Sequence, residues 1–311
     1  MFHYVVTRLL SSVFSLVIVS IIIFLLMHAI PGGPFGAIQR GLSPAAEANL
    51  LRIYGLNRPW WQQYLAYMWG LVHLNLGVAW QDPGEPMLAL IGSTFLVSAS
   101  VAGMGLAYGI LGGLVLGVLA VRFRGGTLDS LITVASTLAL TTPTFVISIG
   151  IIMLFAIGLH LFPAGGWGGP SFMVLPAVAY GINPLGVVAR YTRNAMAEEM
   201  YRQHVTVALA KGLSMNRTMI RHVLRNAGGP IATIVAPMLP GLLTGSVFIE
   251  SIFNVPGLGG YFVSAILSRD YPLEMTLILF VTIFTVVTYL AADVLLVAFD
   301  PRVRLGAVTY D

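Results

Sequence analysis

The chain has no cysteine and a single lysine, Lys211, among its 311 residues. The first absence excludes a disulfide framework and every cysteine-based metal or redox centre. The second excludes a phosphate-binding P-loop, in which Ser or Thr follows the lysine; here Gly212 follows Lys211. Charge is scarce as well. Only 9% of residues are Asp, Glu, Lys or Arg, against roughly 25% in a soluble domain. With 57% hydrophobic residues and a mean hydropathy of +0.88, the composition is that of a membrane protein. The net charge of +4 does not indicate nucleic-acid binding, because the basic residues flank apolar runs and do not cover a polar domain. His-Glu-x-x-His and Gly-x-Ser-x-Gly are missing, and the six histidines are scattered. Carboxylates do not pair inside the apolar runs, which argues against a proton relay. No catalytic, cofactor or metal site is expected, so the chain reads as a non-enzyme.

What is present is a series of apolar runs at about 9–30, 94–121, 128–162, 172–189, 231–252 and 273–299. A helix needs about 20 apolar residues to cross a bilayer. The first run is too long for a signal peptide's apolar region and stops at Pro31-Gly32-Gly33, so it is expected to remain as a span. In the second, Gly105, Gly109, Gly113 and Gly117 recur every fourth residue, a stripe that lets another helix come close. The third exceeds one straight crossing, and Pro143 after Thr141-Thr142 predicts a kink. The two hydroxyls there either satisfy the freed carbonyl or line a path. Pro176 and Asn183-Pro184 are expected to interrupt the fourth, and Asn183, polar at membrane depth, should face protein or a cavity. Glu250 lies near the end of the fifth. Asp293 lies in the last and reads as a structural partner for a cytoplasmic arginine. Residues 35–91 form an outer lobe, in which Ser43 is expected to start a helix reaching Arg52. The lobe also carries a predicted helix from Trp60 to His73 rich in Trp and Tyr, residues that favour the membrane–water boundary. Two readings of the lobe stay open: a receiving surface for substrate or a delivery protein, and an interfacial lid that only packs.

With six spans, twelve of the sixteen basic residues fall on one side and four on the other. The positive-inside rule makes the richer side cytoplasmic, with both termini inside. The expected fold is thus an all-α integral membrane protein, one transmembrane domain over residues 1–311.

One stretch departs from the alternation of span and connection. Tyr201 to Pro230 carries Arg202, Lys211, Arg217, Arg221 and Arg225 and reads as two short helices with a break. Gly212 fits the left-handed position that ends a helix. Ser214 fits the next N-cap, its hydroxyl accepting from an amide near Asn216 or Arg217. In the second helix Met215, Met219, Ile220, Val223, Leu224 and Ala227 are expected on one face and the arginines on the other. Such a pair, held between spans, suits a grip by a cytosolic partner.

This segment resembles the cytoplasmic coupling loop of bacterial ABC importer permeases, whose pattern is Glu-Ala-Ala, three residues, Gly, nine residues, then Ile-x-Leu-Pro. Thr206-Val207-Ala208 stand at the Glu-Ala-Ala positions and Gly212 is the glycine; His222 to Arg225 meet the last part loosely. The wording from Ala210 to Ser214 and from Arg221 to Ala227 is similar to the B-type subunit of oligopeptide and dipeptide permeases, as are GluSerIlePheAsnValProGlyLeuGly, ArgAspTyrPro and the terminal ProArgValArg. The resemblance implies a type I importer permease fold in the bacterial plasma (inner) membrane and transport of peptides by alternating access. It implies a second, homologous permease subunit as heterodimer partner, two cytosolic ABC ATPase subunits that bring ATP and Mg, and an extracytoplasmic solute-binding protein. The coupling loop would be 190–230, with Thr206, Val207, Ala208, Ala210, Lys211, Gly212, Leu213, Ser214 and Arg221 meeting the ATPase. Thr141, Thr142, Asn183 and Glu250 are the pathway candidates. A stand-alone secondary transporter or channel, and a non-transporting scaffold or sensor, are the alternatives.

Overall fold

A computed structural model describes residues 2–29, 44–53, 55–80, 84–235, 237–238 and 245–299. The described secondary structure is helical apart from one isolated bridge between Val78 and Pro86. The helices are α1 (Phe2–Ala29), α2 (Pro44–Ile53), α3 (Trp60–Val72), α4 (Met87–Arg122), α5 (Thr127–Thr141), α6 (Thr144–Ile151, continued by a π turn over Ile152–Gly158), α7 (Pro170–Glu199) and α8 (Gln203–Ala210). Then come α9 (Met215–Thr218, a π turn Met219–Leu224, and Arg225–Val235), α10 (Val247–Ile252), α11 (Leu258–Ser268) and α12 (Tyr271–Phe299). Among the described residues four helices are long and apolar enough to cross a membrane, or five if α5 and α6 are one broken span. The expected fifth span, 231–252, falls partly on residues outside the description; within it α9 ends at Val235 and α10 starts at Val247. Ser43, the Pro31–Pro34 stop, the Asp293 side chain and the terminal ProArgValArg also lie outside the described residues.

The chain forms two compact units, Met1–Leu96 with Gly257–Val286, and Val97–Pro256 with Val287–Asp311. In the first, α1 carries Phe24 and Met27 into a cluster with Tyr271 and Met275 of α12. Met87, Ile91, Leu258, Ala265, Leu273 and Leu277 form a second core there. The start of α12 follows from its sequence. Asp270 precedes it as N-cap, its carboxylate accepting from the Leu273 amide at 3.2 Å, and Pro272 sits in the first turn, where its missing N–H costs nothing.

In the second unit α4 lies against α7 along the glycine stripe. A Cβ on Gly109 would stand 2.6 Å from the Gly181 carbonyl and 2.8 Å from Pro184 Cβ; on Gly113 it would meet Val188 Cβ at 2.7 Å, and on Gly117 Thr192 Cβ at 2.5 Å. Only hydrogen fits, so the stripe is a contact surface. At Pro143 the chain turns by 112° between α5 and α6, a fold-back far sharper than a kink. Pro176 and Pro184 do not interrupt α7, which is continuous from Pro170 to Glu199. Close packing on α4 at Gly181 and Pro184 holds it through the missing amide hydrogen bonds.

Candidate functional site

The break predicted at Gly212 has a defined geometry. Gly212 takes φ +81°, its amide donates to the Leu209 carbonyl at 2.9 Å, and the Leu213 amide donates to the Ala208 carbonyl at 3.3 Å. These two bonds close the end of α8 as a Schellman motif and satisfy carbonyls that the helix leaves free. Ser214 has the extended backbone of an N-cap, but its hydroxyl makes no capping bond, contrary to expectation. Its carbonyl accepts from the Thr218 amide instead, at 2.9 Å.

In α9 Met219, Val223 and Ala227 are buried with Val121, Met196, Ala197 and Val205. Met215 and Ile220, expected on that face, are exposed, Ile220 by 63%. Neighbouring residues diverge by about 100° around a helix, so a narrow contact that admits Met219 leaves Ile220 outside. Arg217, Arg221 and Arg225 are exposed as expected. Of the coupling candidates, Thr206, Val207, Ala210, Lys211, Gly212, Ser214 and Arg221 are exposed, Leu213 is half-buried, and Ala208 is on the buried side of α8. The α8–α9 segment thus exposes apolar Val207, Leu209, Met215 and Ile220 together with the cations Lys211, Arg217, Arg221 and Arg225.

The pair of short helices is tied down by polar contacts that sequence reasoning did not find. Arg122 at the end of α4 donates to Asn216 Oδ1 at 3.0 Å, and Arg124 donates to the Tyr201 hydroxyl at 2.9 Å. His204 on α8 meets Asn226 at 3.1 Å and Glu199 at 3.3 Å. Close by in the chain, Arg193 of α7 grips Asp129 of α5 with two bonds, 2.6 and 2.9 Å. Asp129 occupies the third position of α5 and also accepts from the Gly125 amide at 3.1 Å, as acids at helix starts do. That local role was readable from Gly126-Thr127-Leu128-Asp129; its partner sixty-four residues later was not.

The pathway candidates lie in separate settings. Thr141 donates back to the Thr137 carbonyl at 3.0 Å, which satisfies a local acceptor. Thr142 and Asn183 are half-buried. Glu250 has no exposed surface and accepts from the Tyr180 hydroxyl at 2.9 Å. The same hydroxyl accepts from the Ser246 amide. A cavity of about 210 Å³, lined in part by Ser136, Thr137, Arg190 and Asn194, lies between α5 and α7.

Residues 109–305 match the family described as "Binding-protein-dependent transport system inner membrane component", and residues 1–104 match its N-terminal counterpart, "Binding-prot-dependent transport system membrane comp, N-term". The chain is 33% identical over 305 residues to the dipeptide transport system permease protein DppB of Bacillus subtilis (strain 168), covering 98% of this chain and 99% of that one. It is 34% identical over 306 residues to the oligopeptide transport system permease protein OppB of Escherichia coli (strain K12), covering 98% and 100%. In fold it is similar to a chain of the inward-facing MetNI methionine ABC transporter, with a TM-score of 0.59 at 16% identity over 70% of this chain and 99% of that one. With both family models spanning nearly its whole length, this chain belongs to the inner-membrane components of binding-protein-dependent transport systems, as a multi-pass ABC importer permease.

Proposed function

We propose that this permease conducts peptides, and that separate ATPase subunits drive it through the α8–α9 pair. The peptide assignment rests on relatives of equal length that are named dipeptide and oligopeptide permeases. Its partners would be a homologous permease subunit, two cytosolic ATPases holding ATP and Mg, and a solute-binding protein on the opposite side. Both termini and the coupling loop 190–230 then face the cytosol. Asn183, Thr141, Thr142 and Glu250 remain candidates for the route or for the helices that shape it.

The observation that carries the mechanism is the surface around Gly212. Its apolar residues are exposed where a solvated loop would bury or omit them, and exposed cations occur in the same two helices and their turn. Apolar residues of this kind anchor a partner, and charges steer it. Val205, Met219, Val223 and Ala227 root the pair in the same core as Met196 of α7 and Val121 of α4. A push on the pair therefore reaches two spans as a rigid body, and alternating access follows when those spans re-pack. A stand-alone carrier would have no use for such a surface.

Gly212 supplies the test. A Cβ there meets nothing within 4 Å, so space is not the constraint; the constraint is φ +81°. A β-branched residue is a genuine outlier at that angle, whereas Asn tolerates it. In proteoliposomes holding the assembled transporter, Gly212→Val should leave ATP hydrolysis and abolish most peptide uptake, while Gly212→Asn should retain both. Normal uptake by Gly212→Val would reject the coupling role.

A further inference from the structure

Helix α3 has an outward face that stands exposed among the described residues. Trp61, Leu65, Trp69 and Val72 stand at i, i+4, i+8 and i+11, which puts them within an arc of about 80°. They are exposed by 49%, 57%, 70% and 75%. The helix, WWQQYLAYMWGLV, has no charged residue at all. A water-facing helix of this composition would be an aggregation hazard.

The opposite side of α3 fixes its level. Tyr64 and Ser20 of α1 share a hydrogen bond of 2.7 Å between their hydroxyls, and the Phe24 and Tyr64 rings are 5.4 Å apart. Gln63 meets His28 at 3.3 Å, and the Tyr67 hydroxyl is 2.8 Å from that of Thr276 in α12. Phe24 and Thr276 each lie five residues inside the nearer end of a spanning helix, about 7.5 Å along the axis at 1.5 Å per residue. Interfacial helices bury their apolar face by roughly 5–10 Å. On α1, Ile22, Leu25 and Leu26 are exposed at the same level, where a spanning helix meets lipid. The face of α3 continues that lipid-facing surface. Arg58, one residue before the N-cap Pro59, is exposed, which places a cation where phosphates begin.

We infer that α3 lies in the boundary layer of the leaflet that α1 meets near Ala29, with Trp61, Leu65, Trp69 and Val72 immersed in lipid. For α3 this favours the interfacial reading over a receiving surface, and it is independent of which cargo the permease carries.

The absence of native cysteine allows a direct measurement. Leu65→Cys and Val72→Cys, each carrying a nitroxide, are reconstituted in lipid vesicles with cysteine-free partner subunits. Their collision rates with oxygen and with a water-soluble nickel chelate are then compared. Oxygen is expected to exceed the chelate severalfold at both sites, with Asn57→Cys showing the reverse. Labels reached mainly by the chelate would show a water-facing helix and overturn the inference. Labels shielded from both reagents would show a protein partner on this face and overturn it equally. As a second readout that needs no label, phosphatidylcholine brominated near the glycerol end of its chains should quench the wild-type tryptophans. Trp61→Phe/Trp69→Phe should lose most of this chain's share of that quenching; unchanged quenching would also count against immersion.

Discussion

Glu250 is a carboxyl side chain with no exposed surface in an apolar chain, a costly placement unless donors surround it. Tyr180 is one such donor, and through the Ser246 amide the same hydroxyl fixes the residue that caps α10. Tyr180→Phe removes the donor to the acid and the acceptor for the amide together. Leaving a buried polar group short of its partner costs about 1–3 kcal/mol, so this variant should lower the melting temperature of the purified assembly, whereas Glu250→Gln, which keeps an acceptor oxygen, should lower it less. Asp129 and Arg193 present the parallel case with unequal burial, 7% and 27% side-chain exposure. Arg193→Met strands a carboxylate that is nearly enclosed, while Asp129→Leu strands a guanidinium that water still reaches. The first should be the more damaging, by about 2–3 kcal/mol, below the usual cost of a fully buried pair because solvent screens the arginine. Thermal unfolding of the two variants, with the double variant closing the cycle, measures this; equal losses would mean that the pair acts only as an exposed ion pair.

At the scale of helices, the decisive feature is the approach of α4 to α7. Gly109→Leu would drive a side chain into the Gly181 carbonyl and Pro184, while Gly103, on the same helix, has nothing within 4 Å of its absent Cβ. Gly109→Leu should therefore reduce stability by at least the 1–3 kcal/mol typical of overpacking and lower the yield of assembled complex. Gly103→Leu should do neither, a contrast that chromatography in detergent reads directly. This contact was legible in the sequence because a four-residue glycine period has few other meanings. So was the helix end at Gly212, since a positive φ leaves its mark on residue type. What was not legible depends on distant partners. Ser214 has the residue type and backbone of a cap and makes no capping bond with its hydroxyl, and Pro184 breaks no helix where α7 packs against Gly109 of α4. The 112° turn at Pro143 and the outward position of Ile220 are set by packing, which a periodic pattern records only as a face and not as its width.

For the assembled transporter, the proposed docking surface combines two forces that respond differently to salt. Lys211, Arg217, Arg221 and Arg225 are exposed, so their attraction for an acidic partner is screened once the Debye length falls from about 10 Å at 0.1 M salt to about 3 Å at 1 M. Ile220 and Val207 contribute by leaving water, a term that salt does not weaken. Lys211→Glu reverses a charge in the Schellman turn without touching any buried residue. It should slow association of the ATPase subunits with vesicle-embedded permease at low salt, and its difference from wild type should shrink toward nothing at 1 M. Ile220→Asp places a charge where an apolar anchor would be buried, so its defect should persist at both salt concentrations and show mainly as faster dissociation. Association and dissociation rates measured at the two ionic strengths separate these outcomes. If the Ile220→Asp defect also disappeared at high salt, Ile220 would lie at the rim of the contact, and the anchor would have to be sought among Val207, Leu209 and Met215. If neither variant altered the rates, the α8–α9 surface would not be where the ATPase grips, and the drive to α4 and α7 would need another point of entry.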